Sequence, residues 1–408
     1  MPISGERSPA RTNAKRKDLQ LVQSEPMSGG TFYEFFAGGG MARAGLGKGW
    51  KCLLANDFDP KKQASYCENW GKDEFHPGSV SDISTEKLPG RADLAWASFP
   101  CQDLSLAGSG AGLKGTRSGT FWPFWELIEE LNKESRKPNL IVLENVCGAL
   151  TSHRGEDFRA LIGALGKERY RFGAVVIDAV HFVPQSRPRL FIIAMDETIE
   201  IPPALCGKTP DPAWTPASLI KACDSLDEEQ RKNWIWWHIP KPGPRAKIFS
   251  DLIEDVPAGV KWHTPAETKR LIDMMSPLNR AKLEKAKKAG RRVVGAVYKR
   301  TRPDDSGVRR QRAEVRFDDI AGCLRTPVGG SSRQLIMIVH GSKVRSRLLS
   351  PREAAALMGL EDYILPAKYN DAYHLAGDGL VVPVVRHLAT HVLEPLLAAV
   401  RQQRREAA

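Results

Sequence analysis

A cysteine, a glutamate and two arginines each lie beside a short apolar run, where side chains of catalytic type are unusual. Cys101 follows the run 94–98, and Glu144 ends the run 140–144, where a carboxylate is costly unless it has a purpose. Arg187 and Arg189 are spaced so that both side chains point the same way on an extended segment. Cys101 is therefore a candidate nucleophile. The competing interpretation is a buried structural thiol, the usual fate of a single cysteine.

A glycine-rich segment and an acidic residue about twenty positions later indicate a nucleoside site. Phe36-Ala37-Gly38-Gly39-Gly40 resembles neither a dinucleotide fingerprint, because Arg43 stands where the third glycine would be, nor a phosphate-binding loop. Asp57 is placed to bind the two hydroxyls of a ribose, and Phe58 beside it is suited to stacking on an adenine. A ribose carboxylate without phosphate-binding chemistry predicts a cofactor such as S-adenosylmethionine.

These residues require a scaffold of short buried strands alternating with helices. Such alternation predicts a doubly wound, mostly parallel α/β sheet, in which ligands bind beyond the carboxyl ends of the strands. The strand candidates are 31–36, 51–56, 94–98, 140–144, 174–178 and 190–194, and the helix candidates between them are 41–47, 60–69, 120–132 and 156–165.

The alternation of predicted strands and helices stops near residue 201 and resumes near residue 347, which predicts an inserted second domain. We expect a flexible tail over 1–28, a catalytic domain over 29–200 and a smaller, irregular domain over 201–345. Residues 346–408 should return to the catalytic domain, with helices over 351–359 and 382–400.

Composition is that of an ordinary globular protein. The 408 residues include 60 Lys and Arg against 48 Asp and Glu, a net charge of +12, with 42% hydrophobic and 26% charged residues. No apolar run approaches ~18 residues, so a membrane-spanning protein is not expected. The N-terminus lacks the apolar core of a signal peptide, and the seven cysteines show no CxxC spacing. We therefore expect a cytoplasmic protein with reduced thiols and no metal site.

Most of the excess positive charge lies in residues 280–316, which carry 14 Lys or Arg against 4 Asp or Glu. This block indicates a polyanion partner, most often nucleic acid, or alternatively a solvated and partly helical surface. Four lysines have helical spacing and should face solvent: Lys282, Lys285, Lys287 and Lys288. Four arginines beyond the turn 303–307 should lie on a loop or strand near DNA, the first three of them as DNA contacts: Arg309, Arg310, Arg312 and Arg316.

Seven segments, taken in order along the chain, resemble the cytosine carbon-5 DNA methyltransferases, the bacterial modification enzymes in particular. They cover roughly 31–200 and 346–400, and the variable recognition domain of that family would lie between. The segments are 36–40, 56–59, 99–102, 144–146, 185–189, 347–353 and 377–384.

The resemblance implies a role for each candidate catalytic residue. Cys101 would attack carbon 6 of cytosine, Glu144 would hold or protonate ring nitrogen 3, and Arg189 would bond the carbonyl oxygen. Arg187 would position Glu144 or a nearby phosphate. The target base would have to be flipped out of the duplex, which costs a few kcal/mol.

The resemblance also implies the residues around the cofactor, S-adenosylmethionine. Two departures from the family pattern are notable: Ser79 stands where an aspartate usually meets the adenine amine, with Asp82 as a substitute, and Asp378 stands where the family has asparagine. The implied cofactor residues are Phe36, Ala37, Gly38, Gly40, Asp57, Phe58, Ser79, Val80, Asp82, Pro100, Phe121, Asp378 and Leu380.

The implied partner is double-stranded DNA, and the implied role is host protection in a restriction-modification system. Gln102 and Ser105, in or next to the segment 104–120, would help to fill or clamp the gap left by the flipped base. Arg325, Gly329 and Gly330 are expected on a loop facing DNA, because glycine pairs let the backbone approach a ligand.

Several questions stay open at this point. The enzyme is expected to act as a monomer, with any cognate endonuclease acting separately. One alternative is an RNA cytosine methyltransferase on the same fold, against which the large basic middle domain argues. The other alternative is a catalytically silent DNA-binding module, against which Cys101, Glu144 and Arg189 argue.

Overall fold

The structure, a computed structural model, describes residues 29–100, 118–303, 306–326 and 333–408. The largest feature within these ranges is a sheet of seven strands. In chain order these strands are β1 (Thr31–Phe35), β2 (Lys51–Asp57), β3 (Phe75–Pro77), β4 (Leu94–Ala97), β5 (Leu140–Asn145), β6 (Tyr170–Asp178) and β7 (Pro188–Asp196).

The strand order is β3-β2-β1-β4-β5-β7-β6, and the first five strands of this order are parallel to one another. Strand β7 runs antiparallel to both β5 and β6. The prediction of a doubly wound, mostly parallel sheet is confirmed. Burial on both faces explains why the central strands read as nearly continuous apolar runs, because such a sheet has no solvated face.

Helices cover both faces of this sheet, so that each face has its own core. Phe124 of α3 and Phe158 of α4 pack on one face, whereas Val385 of α11 and Leu397 of α12 pack on the other with Leu46 of α1. The twelve helices in the described ranges are α1 (Met41–Leu46), α2 (Pro60–Trp70), α3 (Phe121–Lys133), α4 (Glu156–Lys167), α5 (Ala217–Asp224), α6 (Glu228–Lys232), α7 (Pro265–Asp273), α8 (Pro277–Lys288), α9 (Pro351–Ala356), α10 (Tyr369–Asp378), α11 (Val382–Leu388) and α12 (Glu394–Glu406).

The middle of the chain contains a second, antiparallel sheet that the sequence did not reveal. Its strands lie in the order β11-β10-β12-β13, after a short pair formed by β8 and β9. Helix α8 covers one face of this sheet, where Leu283 packs with Val297 and Val315. The ranges are β8 (Cys206–Gly207), β9 (Trp236–Trp237), β10 (Arg292–Pro303), β11 (Arg309–Arg316), β12 (Leu335–His340) and β13 (Lys343–Leu348).

Part of the chain after residue 201 packs with the large sheet. Trp214, Trp237 and Phe249 are buried in the same core as that sheet, and so are Val294 of β10 and Ile336 of β12. Strand β13 of the antiparallel sheet continues to Leu348. Because one core joins the large sheet to parts of the antiparallel sheet, the domain bounds at residues 201 and 345 stay a prediction.

One stretch, Tyr369–Glu406, is long and apolar enough to cross a membrane by length and composition. Most of its apolar window is buried inside the protein, which is the pattern of core helices packed on a sheet. Leu388, Val392 and Leu396 have no exposed surface and contact the core of the large sheet. This stretch therefore serves to cover the large sheet.

Candidate active site

The carboxyl ends of four parallel strands meet at one edge of the large sheet. Phe35 of β1 pairs with Asn56 of β2 on one side and with Ala97 of β4 on the other, and Ala97 pairs with Leu143 of β5. The predicted glycine turn, the acidic residue, the cysteine segment and the glutamate each follow directly after these positions. The register therefore brings them to a common edge, as ligand sites in such sheets require.

Glu144 and Arg189 form an ion pair at this edge. Glu144 Oε1 lies 3.3 Å from Arg189 Nε, and both side chains are largely buried. Burial raises the pKa of Glu144, while the charges of Arg189 and Arg187 and a hydrogen bond with the Ser98 side chain lower it in part. The net result is a raised pKa, so Glu144 keeps its proton to a higher pH than an exposed glutamate does.

Ser98 links Glu144 to the scaffold. Trp96 Nε1, fully buried in β4, donates a hydrogen bond of 3.0 Å to Ser98 Oγ. The Ser98 hydroxyl in turn bonds Glu144. The chain Trp96–Ser98–Glu144–Arg189 thus holds the carboxyl group in one orientation.

Arg187 bonds three backbone carbonyl groups that lie far along the chain. Its guanidinium donates to the carbonyl oxygens of Gly377 and Gly379, each at 2.8 Å, and to that of Leu324 at 3.2 Å. The residue is buried, and it influences Glu144 through its charge. Arg187 therefore joins the C-terminal glycine turn to the segment at residue 324, and its role in positioning Glu144 or a phosphate stays a prediction.

Cys101, Gln102 and Ser105 lie outside the described residues, but the backbone that leads to Cys101 is described. Asn145 Nδ2 donates a hydrogen bond of 3.2 Å to the carbonyl oxygen of Phe99. The Phe99 ring is buried and packs on Phe121, with ring centroids 5.3 Å apart. The chain therefore approaches Cys101 from a fixed point, one strand away from Glu144.

The glycine turn after β1 has an unusual backbone. Phe36 has φ 57°, as does Gly38, and Gly40 has φ 76°. Such a φ is uncommon for a bulky residue such as Phe36 and is favourable for glycine. Gly38 N donates to Asp57 Oδ2 at 2.8 Å, and Ala37 N donates to Asn56 O at 2.8 Å, so the turn is tied to the end of β2.

Asp57 and Phe58 have opposite environments. Asp57 is buried, and its second oxygen accepts from Asp59 N at 2.9 Å. Phe58 is 68% exposed, which is unusual for a large apolar ring. An exposed ring beside an oriented carboxylate fits a nucleoside, with stacking on the base and a hydrogen bond to the ribose.

Five other predicted cofactor positions are part of the described structure. Asp82 Oδ2 accepts from Ser79 N at 3.1 Å, so both residues cap a short helical turn in which Val80 is buried. Phe121 has no exposed surface, and its ring packs against that of Phe99. Leu380 lines a small cavity together with Arg187 and Arg189. Their contacts with a cofactor stay predictions.

A known protein family matches most of this chain. The family model described as C-5 cytosine-specific DNA methylase matches residues 30–394. The chain belongs to that family.

Similar proteins agree with this membership. The chain is 24% identical to the type II methyltransferase M.HpaII of Haemophilus parainfluenzae, over 90% of each chain. It is also 24% identical to the type II methyltransferase M.MspI of a Moraxella species, over 88% of this chain and 70% of the relative. The predicted family and enzyme class are confirmed: the protein is a DNA (cytosine-5-)-methyltransferase, whose reaction needs DNA and a methyl donor.

Solved structures share the fold. The S. pombe Dnmt2 methyltransferase has a TM-score of 0.56 and 17% identity, covering 90% of this chain and 99% of its own. The Entamoeba histolytica methyltransferase EhMeth has a TM-score of 0.58 and 14% identity, covering 91% of this chain and 99% of its own. The overall architecture is therefore that of a known methyltransferase fold.

The middle domain of the methyltransferase carries a cluster of arginines on a hairpin. Arg300 pairs directly with Arg312, and Arg302 pairs with Arg310, so these four side chains share one face of β10 and β11. Arg309 pairs with Pro303 and lies on the opposite face. We call the four side chains the arginine face; the predicted trio of arginines is thus divided between two faces.

Partly buried contacts connect the arginine face with Arg189 of the active site. Tyr298 lies one step along β10 on the same face, and its hydroxyl donates to Cys323 O at 2.9 Å. Cys323 Sγ lies 4.0 Å from Arg189 Nη2. Arg325 is exposed just beyond, whereas Gly329 and Gly330 lie outside the described residues.

Four contributions were missed by sequence reasoning. They come from Ser98, which bonds Glu144, from Asn145, which bonds the Phe99 carbonyl, from the pair Arg300 and Arg302 of the arginine face, and from Lys62. Ser98 and Asn145 could have been noticed because they flank predicted strand ends. The two arginines of β10 could have been found only from the pairing of the hairpin.

Proposed function

We propose that this methyltransferase flips a target cytosine out of duplex DNA and methylates carbon 5, using Cys101 as the nucleophile and S-adenosylmethionine as the methyl donor. The observation that supports this most is the shared strand edge. At this edge the Glu144–Arg189 pair lies one strand from β4, which leads to Cys101, and Asp57 ends β2, two strands from β4 on the other side, with the exposed Phe58 directly after it.

The residues present fit S-adenosylmethionine. Asp57 offers a carboxylate for ribose hydroxyls, and Phe58 offers an exposed ring for the adenine. The left-handed backbone at Gly38, where among the described residues only Lys62 Cδ would lie within 4.0 Å of an added Cβ atom, lets a ligand approach the backbone closely. When bound, this cofactor would supply the methyl group.

The chain's own residues account for the remaining steps. The Cys101 thiolate adds to carbon 6, and the electrons displaced from the ring double bond make carbon 5 nucleophilic. Glu144 gives a proton to nitrogen 3 or shares one with it, and Arg189 bonds the carbonyl oxygen, so that charge does not build up on the ring. After methylation, a water molecule takes the carbon-5 proton, the electron pair left behind re-forms the double bond between carbons 5 and 6, and the thiolate leaves with the electrons of its bond to carbon 6.

A direct assay tests the proposal. Duplex DNA and transfer RNA are each incubated with the enzyme and S-adenosylmethionine labelled in its methyl group, and the product bases are then identified. We expect labelled 5-methylcytosine in duplex DNA at one short sequence, which sequencing of methylated host DNA would define. Label in transfer RNA alone would contradict the DNA assignment, and no label in either would contradict the proposed chemistry.

The arginine face is the proposed DNA contact of the middle domain. Like charges directly across a hairpin destabilise it, and a bound phosphate backbone would offset this repulsion between Arg300 and Arg312 and between Arg302 and Arg310. Glu314 relieves part of this repulsion, with Arg302 at 2.7 Å and Arg300 at 3.4 Å. The face remains strongly positive, as a polyanion site requires.

Replacing Arg310 and Arg312 with glutamine should weaken DNA binding and flatten its salt dependence. Each lost phosphate contact lowers the slope of log affinity against log salt by about 0.9, so the double variant should lower it by about 1.8. Fluorescence anisotropy over a series of salt concentrations measures both quantities.

The matched control removes two charges from the other face of the same strands, with Lys299 and Arg309 changed to glutamine. Lys299 pairs directly with Ala313 on the face that carries the domain's own core. This variant should keep a slope close to wild type. Equal slopes in the two double variants would contradict the assignment of the arginine face.

Three further proposals follow from the similarity to type II methyltransferases. The enzyme would protect host DNA in a restriction-modification system, with a cognate endonuclease acting as a separate protein. It would act as a monomer on DNA. It would do so in the cytoplasm, associated with the nucleoid.

A further inference from the structure

Lys62 is a largely buried lysine at the cofactor edge of the sheet. It lies in the first turn of α2, directly after the Asp57–Asp59 segment. Its Nζ is 3.2 Å from Asp378 Oδ2, with side-chain exposures of 23% for Lys62 and 40% for Asp378. A lysine that is held by a carboxylate beside the proposed cofactor site is placed to bind an anionic group of the cofactor.

The side chain of Lys62 runs along the glycine turn. A Cβ atom added at Gly38 would have Lys62 Cδ as its nearest neighbour, 4.0 Å away. Burial lowers the pKa of Lys62, but Asp378 and Asp57 outweigh it, so the pKa is raised overall. The ammonium group therefore stays charged beside the turn that the cofactor would approach.

Asp378 is itself anchored. The Thr326 hydroxyl donates to Asp378 Oδ1, which leaves Oδ2 for Lys62. Arg187 clamps the carbonyl groups on both sides of Asp378, at Gly377 and Gly379. Asp378 is thus a charged residue whose fixed position in turn fixes that of a lysine.

The amino-acid end of S-adenosylmethionine bears a carboxylate and an ammonium group. Asp57, Asp59 and Asp378 all act electrostatically on Lys62, and without a cation these three carboxylates would repel a ligand carboxylate. An ammonium group has three donors, so Lys62 can serve Asp378 and a ligand at the same time. We propose that Lys62 binds the carboxylate of the cofactor's amino-acid end, with Asp378 holding it in position. This inference rests on the proposed cofactor.

The test compares two ligands that differ only in the carboxylate. Calorimetry with the full-length protein measures binding of S-adenosylmethionine and of decarboxylated S-adenosylmethionine. The wild type should prefer the first by about tenfold or more, the value of one charged hydrogen bond. Lys62→Gln should lose this preference while binding the decarboxylated ligand as well as wild type does, and Lys62→Arg should retain most of it.

Lys61 provides the matched control. It is the neighbouring lysine on α2, is 68% exposed, and pairs with Asp371 at 2.8 Å. Lys61→Gln should keep the wild-type preference. Equal losses for both ligands in Lys62→Gln would overturn the inference, because they would show a merely structural role.

The wild type alone also tests the inference, should Lys62→Gln fail to fold. Equal binding of the two ligands by the wild type would overturn it. Binding of neither ligand would instead contradict the proposed cofactor, so the two failures are distinguishable.

Discussion

Changing Cys101 to serine is expected to abolish methyl transfer, lowering the rate by about 10⁴-fold or more. A serine hydroxyl is ionised far less readily than a thiol, so it cannot add to carbon 6. The surrounding structure should persist, because Asn145 holds the Phe99 carbonyl and Glu144 is held by Ser98 and Arg189 independently of the thiol. Cofactor and DNA binding should therefore remain close to wild type.

The measurement is covalent trapping. DNA containing 5-fluorocytosine at the target should form a stable adduct with the wild type, because fluorine replaces the carbon-5 proton that must leave. Cys101→Ser should form none. Cys147→Ser is the matched control: burial raises the pKa of the Cys147 thiol, although Arg189 lowers it in part, so this thiol is a weak nucleophile and the variant should still be trapped. Trapping of Cys101→Ser to the wild-type extent would refute the assignment.

Changing Glu144 to glutamine should lower the methylation rate by about 10²–10⁴-fold, the range attributed to general acid–base catalysis. It should also change the pH profile. Burial raises the pKa of Glu144, so the protonated form that serves ring nitrogen 3 is present below that pKa and is lost as the pH rises through it. The wild-type rate should therefore fall on the alkaline side of this pKa, and the glutamine variant should lack this limb. Single-turnover rates measured across a pH series provide the test.

Ser98→Ala is a control that should shift the pKa of Glu144 in a known direction. The Ser98 hydrogen bond lowers the pKa of Glu144, so its removal should raise that pKa further and move the alkaline limb to higher pH. The rate of this variant below the limb should fall much less than that of Glu144→Gln. An alkaline limb that persists unchanged in Glu144→Gln would assign the titration to another group.

Much of the catalytic domain could be predicted from the sequence. The strands β1, β2, β4 and β5 were found to within one or two residues, because strands buried on both faces appear as short apolar runs. The turn after β1 and the acidic end of β2 were found because their glycines and carboxylate interrupt those runs. Conversely, the sheet of the middle domain was missed, since most residues of β11 are charged or polar and only Ala313 and Val315 contribute to its core.

In the candidate active site, too, some features could be predicted from the sequence and others could not. Glu144 and Arg189 were predicted as catalytic residues, and they form an ion pair. The contacts of Arg187 could not be predicted, because its carbonyl partners lie at residues 324, 377 and 379, far along the chain. Nor could the Lys62–Asp378 pair, whose members are more than 300 residues apart in sequence.

By itself the sequence determined the family, the reaction and the residue types that carry it, because each lies at the end of a strand or in a turn whose signal is local. Tertiary structure alone decided which of these residues meet. Arg309 and Arg310 are neighbours in the chain yet lie on opposite faces of a hairpin, because strand side chains alternate and the pairing of β10 with β11 decides which face each takes. Hydrogen bonds and ion pairs act over about 3 Å between groups that only the packing of distant segments brings together, and a linear pattern holds no record of that packing.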